Sequence, residues 1–398
     1  MSGSSGTGEP FAEAPGTGAL DGVLIADFSR VLAGPYATMI LGDLGATIVK
    51  VERPGSGDDT RAWGPPFAQT GHSTYFESVN RNKQSLSLDI ADAGDRRLAS
   101  ELAERADVLV ENFKPGSLVQ YGLDYDSVRI RNPRIVYCSI SGFGSGSGHD
   151  LPGYDLLVQA MGGLMSITGT DEPTKAGVAV VDVLAGLHAT VAILAALRHR
   201  DRTGEGQRVE VSLLSALLSS MVNQSSAFVG GGVIPQRMGN AHPSISPYES
   251  YPTADRPLII AVGNDAQFTR LAQALGDPVL ANDPRFATNP SRVEHRQALS
   301  HRIIELLAPH GAEHWQRVIG AVGVPCGPIN SIAEGFALAD RLGLEPVVDI
   351  VDPRRTAPDR QIANPVSYSK TPATYRSAPP GVGEDNEAVL AWLRTGAR

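Results

Sequence analysis

The sequence predicts an α/β protein whose larger part is a doubly wound parallel sheet. Short apolar runs alternate with amphipathic helical segments over the first half of the chain. This alternation favours parallel strands joined by crossover helices. A chain of 398 residues exceeds what one hydrophobic core usually holds, so a second, smaller domain is expected.

The predicted elements begin with a β-α-β unit. The string "GVLIADF" (Gly22–Phe28) is the apolar run of a buried strand. A helix follows at Gly34–Ala46, where Pro35 suits a first turn, and "TIVKVE" (Thr47–Glu52) is the next strand. Together with the later elements this predicts a Rossmann-like larger domain. The later strands are predicted at 85–90, 108–113, 134–141 and 208–213, and the later helices at 92–107, 180–197 and 213–229.

A smaller α/β domain is predicted in the second half. Residues 230–247 are rich in Gly, Pro and Ser without a clear period, which indicates a linker. Residues 248–335 are expected to form the small domain, with a strand at 258–263, and "VPCGPINS" (Val324–Ser331) is predicted to be a turn broken by proline. From residue 343 the chain is predicted to be strand and extended loop, with a last helix at 384–392. The small-domain helices are predicted at 265–276, 292–308 and 312–323.

Composition and charge argue against several classes of function. The net charge of −9 argues against a nucleic-acid surface, which needs clustered Lys and Arg. The two cysteines, Cys138 and Cys326, lie far apart and suggest neither a disulfide framework nor a metal site. Residues 1–19 are small and polar, lack the pattern of a signal peptide, and are expected to be a disordered tail. A cytoplasmic protein is expected.

Two apparent signals are weaker than they look. The string "HGAEH" matches the H-x-x-E-H spelling of a zinc site, but Pro309 and Gly311 weaken a helix there, so no metal is expected. Val180–Leu197 is as long as a short membrane span, yet Asp182 and His188 interrupt it. A buried helix is expected instead, with no membrane contact, and His188 is expected to be a satisfied core residue.

Asp182 stands at the start of this apolar helix and allows two interpretations. Aspartate is a favoured N-cap residue, because its carboxylate accepts hydrogen bonds from the orphan N–H groups of the first turn. A carboxylate at the same place could also be an attacking nucleophile. Composition favours the cap, and the two roles are compatible.

Several strings together resemble one family. They include "DFSRVLAGPYATMILGDLGATIVKVERPGSGDDTR" (Asp27–Arg61), "ADVLVENFKPGSL" (Ala106–Leu118), "GYDLLVQAMGGLMSITG" (Gly153–Gly169) and "GVPCGPINS" (Gly323–Ser331). These motifs are similar to those of the family III CoA-transferases. That family also contains carnitine and bile-acid CoA-transferases, formyl-CoA:oxalate transferase and α-methylacyl-CoA racemase. The resemblance runs from about Leu20 to the C-terminus.

The resemblance implies an interlocked homodimer of two-domain subunits. The large CoA-binding domain, residues 20–229, would be completed by about 340–398, and residues 336–398 would be a linker and a C-terminal return. Coenzyme A and acyl-CoA would be substrates together with a free carboxylic acid, with no tightly bound cofactor. Asp182 in "VVDVLAGLH" matches the family's catalytic aspartate. The tetrahedral oxyanions of acyl transfer need fixed N–H donors, and the candidates are the backbone around Gly186 and the glycine loops.

The coenzyme contacts of the family can also be carried over to this sequence. Arg53 would lie against the adenine, a stacking role that a guanidinium suits. A lysine that meets phosphate in some members falls at Ala91 here. The residues that match the family's CoA contacts are Leu32, Ala33, Arg53, Leu88, Asn112, Phe113, Gln120, Tyr154 and Asp155.

Three functions follow as alternatives. The first is an acyl-CoA:carboxylate CoA-transferase working through a mixed anhydride and an aspartyl-CoA thioester. The second is an α-methylacyl-CoA racemase or epimerase, which needs a second acid/base group, a histidine in the family. Tyr154 occupies that histidine's position here and His149 lies five residues earlier, so transfer is favoured. The third is a CoA-binding protein without turnover, in which Asp182 is only a cap.

Overall fold

The computed structural model describes residues 18–68 and 71–395, and the chain forms two compact units. The first unit contains the described residues up to Leu164, Ala176–Gly232 and those from Glu345 onward. The second contains Met165–Lys175 and Val233–Leu344. Residues 1–17 of the predicted disordered tail lie outside the described residues. Gly18, which that prediction included, is ordered and donates its N–H to Asp21 Oδ2 at 2.8 Å.

The first unit is built on a six-stranded sheet in the order β3-β2-β1-β4-β5-β6, and every strand pair in it is parallel. The order reverses between β1 and β4, so the chain leaves these two neighbours in opposite directions. This confirms the predicted α/β class and its doubly wound sheet. The strands are β1 (Leu24–Asp27), β2 (Thr47–Glu52), β3 (Lys83–Ser87), β4 (Val108–Glu111), β5 (Val136–Ser141) and β6 (Gln207–Ser212).

Helices cover both faces of the sheet. The predicted helix at 213–229 is in fact two, because it breaks at Met221 and Val222, where Val222 has a φ of 36°. Short 3-10 helices occur at Asp59–Ala62 and Val119–Tyr121. The α-helices in this part of the chain are α1 (Ala33–Asp43), α2 (Thr74–Glu77), α3 (Ala93–Arg105), α4 (Tyr125–Arg131), α5 (Asp155–Met161), α6 (Leu164–Ile167), α7 (Val180–Thr203), α8 (Leu213–Ser220) and α9 (Val222–Gly231).

Alternate strand residues feed two separate apolar cores, as the pleat of a sheet buried on both faces requires. Ile25 and Val110 belong to the core that contains Ala185 of α7. Ala26 and Leu109 belong to the core that contains Leu102 of α3. The first unit is therefore a three-layer structure with the sheet in the middle.

Helix α7 has the length and apolar composition of a membrane span, and it is the one such helix among the described residues. Its buried residues, among them Ala189 and Ile193, join the core formed with β1, β4 and β5. This packing supports the expectation of a core helix. His188 contradicts the expectation of a core residue, because it is exposed on the opposite side of the helix.

The second unit contains a three-stranded antiparallel sheet in the order β7-β8-β9. The predicted turn at 324–331 includes β9, because Cys326 and Gly327 pair with β8. Residues 165–175, expected in the larger domain, group with this unit, where Gly239 N–H donates to Gly169 O at 3.1 Å. The elements are β7 (Tyr248–Tyr251), β8 (Leu258–Ala261), β9 (Cys326–Pro328), α10 (Asp265–Ala274), α11 (Asn289–Glu294), α12 (Arg296–Leu307), α13 (Ala312–Ala321), α14 (Ile332–Arg341) and a 3-10 helix at Pro278–Asn282.

The C-terminal segment belongs to the first unit. It contains the hairpin of β10 (Val347–Ile350) and β11 (Asp359–Ile362), followed by α15 (Asn386–Thr395). Asp385 and Asn386 accept the backbone N–H groups of Ser85 and Ser87 on β3, each at 2.8 Å. Since β3 is an edge strand, these side chains occupy hydrogen-bonding groups that would otherwise be open to another strand.

Candidate active site

The site is built where the strand order reverses. In open parallel sheets, ligands bind in the crevice at the carboxyl ends of the strands at this point. Here the loops after β1 and β4 are tied together by the predicted contact residue Asn112. Its Oδ1 accepts from Arg30 N–H at 2.8 Å, and its Nδ2 donates to Arg30 O at 2.7 Å. Asn112 therefore fixes the crevice by joining its two sides.

The loop after β1 is held in a strained conformation by a buried ion pair. Val31 has a φ of 69°, a left-handed value that is unusual for a β-branched residue. Its N–H donates to the carboxylate of Asp58 at 3.2 Å. Lys50 Nζ lies 2.9 Å from the same carboxylate and 2.9 Å from Ser29 O, and both ionic side chains are fully buried. Burial raises the pKa of Asp58, but the Lys50 cation and local hydrogen bonds outweigh it and hold that pKa at about 2.

Two cavities adjoin at this loop. The first has a volume of 270 Å³ and contains four of the predicted CoA contacts, Arg53, Leu88, Phe113 and Gln120, with Ala91 also on its wall. The second has a volume of 390 Å³ and shares Arg30 and Phe113 with the first. The predicted residues that line the second cavity are Leu32, Ala33, Asn112, Phe113, Tyr154 and Asp182.

Asp155 is the one predicted CoA contact that lines neither cavity. Its Oδ1 accepts from the N–H groups of Val181 at 2.8 Å and Asp182 at 3.4 Å. Asp155 is therefore the side-chain cap of α7. Asp182 is the third residue of that helix, after the N-cap position Ala179, and makes no side-chain cap bond. The interpretation of Asp182 as the helix cap is thus wrong.

Asp182 differs electrostatically from the other carboxylates of its cavity. Asp59 pairs with Arg30 and Arg53, and Asp150 pairs with Lys114. Within residues 18–68 and 71–395, no side-chain hydrogen bond or ion pair engages the Asp182 carboxylate. Burial, followed by the negative charge of Asp155, raises the pKa of Asp182 from 3.8 to about 7. A titratable group perturbed in this way on a cavity wall is typical of a functional site.

The surroundings of Asp182 include aromatic residues that the sequence did not single out. Tyr75 of α2 packs in a small apolar cluster with Leu32 and Val183, and it meets Trp63 edge to face at 5.2 Å between ring centroids. Burial and the charge of Asp182 raise the pKa of Tyr75 to about 12, so its hydroxyl keeps its proton at neutral pH. Nothing in the local sequence marks Tyr75, since its place depends on contacts across the fold.

Other candidate residues from the sequence do not line the Asp182 cavity. Gly186 lies in the second turn of α7, where its N–H belongs to the helix, so this candidate for an oxyanion donor is not free. His149 lines a different cavity and lies 3.0 Å from Asp150. His310 precedes the first residue of α13, so "HGAEH" does not lie on one helix. Among the described residues, no three His, Cys, Asp or Glu side chains form a group that could hold a metal ion.

Known proteins resemble this chain over nearly all its length. A family model described as CoA-transferase family III matches residues 20–386. The succinate–glutarate CoA-transferase of Agrobacterium fabrum is 43% identical over 390 residues, which cover 94% of this chain and 96% of that protein. The succinyl-CoA:glutarate CoA-transferase of Mus musculus is 41% identical over 388 residues, which cover 96% of this chain and 88% of that protein.

Solved structures agree with the sequence relatives. The crystal structure of a CaiB/BaiF family protein from Brucella suis is similar, with a TM-score of 0.84 and 40% identity, over 94% of this chain and 99% of that chain. The motifs, the strand order and the relatives all indicate the same family. The chain belongs to the family III CoA-transferases.

Proposed function

We propose that the chain transfers coenzyme A from an acyl-CoA to a free carboxylic acid through covalent intermediates on Asp182. The observation that carries this proposal is the position of Asp182 on the wall of the 390 Å³ cavity, with a raised pKa and, among the described residues, no ion pair to its carboxylate. A carboxylate that is poorly stabilised by its surroundings gains from becoming acylated, because acylation removes its charge.

The reaction proceeds by four acyl exchanges. The Asp182 carboxylate attacks the thioester carbonyl of the donor, forming a mixed anhydride and releasing CoA thiolate. The thiolate attacks the Asp182 carbonyl, giving an aspartyl-CoA thioester and the free donor acid. The acceptor carboxylate attacks this thioester, restoring a mixed anhydride and the thiolate. The thiolate then attacks the acceptor acyl carbonyl, so the new acyl-CoA leaves and the Asp182 carboxylate returns.

The two adjoining cavities would divide the coenzyme between them. The adenine would occupy the first cavity against Arg53, and the pantetheine arm would pass Phe113 towards Asp182. Ala91 replaces the lysine that meets phosphate in some relatives, and Arg30 and Lys114 on the second cavity are the cations available for the diphosphate. Both already pair with carboxylates, so phosphate would compete with Asp59 and Asp150 for them.

The acids exchanged are proposed to be small dicarboxylates. The support comes from the named substrates of two relatives, succinate and glutarate, at 41% and 43% identity over most of the chain. The test is incubation with succinyl-CoA and carbon-13-labelled glutarate, with mass spectrometry of the CoA esters. Labelled glutaryl-CoA and free succinate should appear in equal amounts. If no new CoA ester formed with glutarate or with any other acid of a panel, transfer would be contradicted.

Variants at Asp182 test its role in that reaction. Asp182→Asn keeps the shape of the side chain but removes the nucleophile, so transfer should fall by at least about a thousandfold, the order seen when a nucleophile is removed. Asp201→Asn, an exposed position on the same helix, is the matched control and should retain wild-type transfer. Transfer that survives Asp182→Asn would overturn the covalent mechanism.

The two alternatives predict different results. A racemase would exchange the α-proton of a 2-methylacyl-CoA for deuterium from the solvent without exchanging CoA. None of the described residues lining the Asp182 cavity is a histidine, which favours transfer over this alternative. A CoA-binding protein without turnover would bind acyl-CoA but produce neither glutaryl-CoA nor deuterated ester.

A homodimer is proposed as the working form. Helix α9 leaves Val222, Phe228 and Val229 exposed, the last at 83%, and α14 leaves Ile332 exposed at 83%. Exposed apolar side chains support this proposal where they form one contiguous surface, because such surfaces mark protein contacts. Light scattering after gel filtration should give twice the chain mass of 41.9 kDa, and a monomer at micromolar concentration would contradict the proposal.

A further inference from the structure

We propose that Asp155 and Gln159 are positioning residues that hold Asp182 in its reactive place and keep its carboxylate destabilised until it is acylated. This inference rests on the proposed role of Asp182. It differs from the sequence expectation, in which Asp155 was a contact of the coenzyme. Three features of α5 and the start of α7 support it: the hydrogen bonds, the burial, and the charges around Asp182.

The hydrogen bonds bind the segment before Asp182 to one turn of α5. Asp155 Oδ1 accepts from the N–H groups of Val181 and Asp182. Asp155 Oδ2 accepts from Gln159 Nε2 at 2.6 Å. Gln159 Oε1 in turn accepts from Ala176 N–H at 2.8 Å. Since Asp155 and Gln159 are four residues apart on one helix, they act as a single bracket on residues 176–182.

Burial makes this bracket rigid. Gln159 is fully buried, although glutamine is usually exposed, and both ends of its amide are engaged by the protein. Both oxygens of Asp155 are also engaged, so its carboxylate is used in holding α7. A side chain whose oxygens are all committed in this way is better suited to orienting another group than to binding a ligand.

The charge of Asp155 acts on Asp182 through proximity. The two carboxylates repel each other. Burial is the largest cause of the raised pKa of Asp182, and this repulsion is the second. Acylation turns Asp182 into a neutral group and ends the repulsion, so Asp155 favours the covalent states over the free carboxylate. The other charged or titratable groups that line the cavity or pack beside it are Arg30, Asp59, Lys114, Asp150, Tyr154, Tyr36 and Tyr75.

A charge-swapped pair of variants separates charge from geometry. Asp155→Asn alone removes the charge but sets two side-chain NH₂ groups against each other, the new amide at position 155 and that of Gln159. The double variant D155N/Q159E restores a donor–acceptor pair between these positions and moves the negative charge away from the α7 amides. It keeps the net charge of the chain and the shapes of both side chains.

The readout is the rate at which free donor acid appears when excess enzyme meets succinyl-CoA without any acceptor acid. In the wild type this single-turnover rate should rise with pH to a plateau with an apparent pKa near that of Asp182, about 7. In D155N/Q159E the rise should move to lower pH by up to about one unit, because the like charge has been moved from the α7 amides to position 159. The plateau rate should fall by up to about tenfold, the factor that one pKa unit represents.

The outcomes distinguish this inference from the proposed function. A double variant that matches the wild type in both pH profile and plateau would overturn the positioning role, while wild-type release of acid would still support Asp182 catalysis. A wild type that releases no acid and forms no adduct on Asp182 would overturn the proposed function itself. Asp155→Ala, which removes the cap as well as the charge, should be slower than the double variant. Equal rates for these two variants would contradict the part assigned to the hydrogen bonds.

Discussion

A methyl group added to Gly186 would lie 2.7 Å from the carbonyl oxygen of Ala33 and 3.1 Å from the ring of Tyr36. Gly186 thus sets the distance between α7 and α1 one turn beyond Asp182. The same contact brings the predicted coenzyme residues Leu32 and Ala33 to the cavity that Asp182 lines. The spacing of the two helices and the geometry of the site therefore depend on Gly186 having no side chain.

Gly186→Ala should separate α1 from α7 and lower transfer activity. The added carbon is closer to a backbone oxygen than real contacts allow, and overpacking of this kind typically costs about 1–3 kcal/mol of stability. Urea unfolding measures the stability, and kcat with succinyl-CoA measures the site. Gly335→Ala, a helical glycine of α14 with no atom within 4 Å of the added carbon, is the control. Its stability should equal or exceed that of the wild type, and equal effects of the two variants would contradict the account.

Lys50→Met should destabilise the first unit and raise the KM for acyl-CoA. The variant leaves the Asp58 carboxylate buried without its cation, and breaking a buried ion pair typically costs about 3–5 kcal/mol. It also weakens the contact that holds Val31 before Leu32. The double variant K50M/D58N should recover part of the stability because it removes the unpaired charge. If the single variant unfolded at the wild-type urea concentration, the ion pair would not stabilise the loop.

Asp182→Asn should be more stable than the wild type, by an amount that grows with pH. The pKa of Asp182 is raised from 3.8 to about 7 in the folded protein, so over this range the native state keeps a proton that the unfolded state has lost. Stability of the wild type therefore falls as pH rises from about 4 to about 7 and then levels off. Unfolding of both proteins at pH 5 and pH 8 measures the difference. A difference that is equal at the two pH values would contradict a raised pKa.

Arg53→Met should raise the KM for acyl-CoA and leave kcat nearly unchanged. Arg53 lines the cavity proposed for adenine, away from the reacting carbonyl, so it would stabilise substrate and transition state alike. Loss of a guanidinium stacked on a ring would cost about 1–2 kcal/mol, or about five- to thirtyfold in KM. An acyl-pantetheine substrate, which has no adenine, is the control. The variant should use it as well as the wild type does, and an equal loss with both substrates would place the adenine elsewhere.

The elements of the first unit are largely predictable because their signals are local. The apolar run at Thr47–Glu52 predicts a strand with the bounds that the structure has, since the run ends there at a turn. Helix α14 is absent from the predicted elements, although Ser331 and Glu334 form a capping box whose S-x-x-E spelling stands in the sequence. The split of the predicted helix at 213–229 depends on the backbone conformation of Val222, which cannot be predicted from its residue type.

The site residues are predictable only through the resemblance, and their roles only in part. The cap of α7 is supplied by Asp155, 26 residues before the first amide that it accepts, so no local pattern could separate it from Asp182. The left-handed backbone of Val31 is likewise imposed from outside, by Asp58 and Lys50. Tertiary contacts decide both features.

The central claim is that Asp182 carries the acyl group and then coenzyme A. The most direct test is hydroxylamine trapping during turnover with succinyl-CoA and glutarate, followed by mass spectrometry of the peptides. Hydroxylamine should convert the activated Asp182 carbonyl into a hydroxamate when acyl-CoA is present, and should leave Asp182 unmodified when acyl-CoA is left out. An unmodified Asp182 peptide in enzyme that is visibly turning over, or a hydroxamate on another carboxylate, would contradict the account.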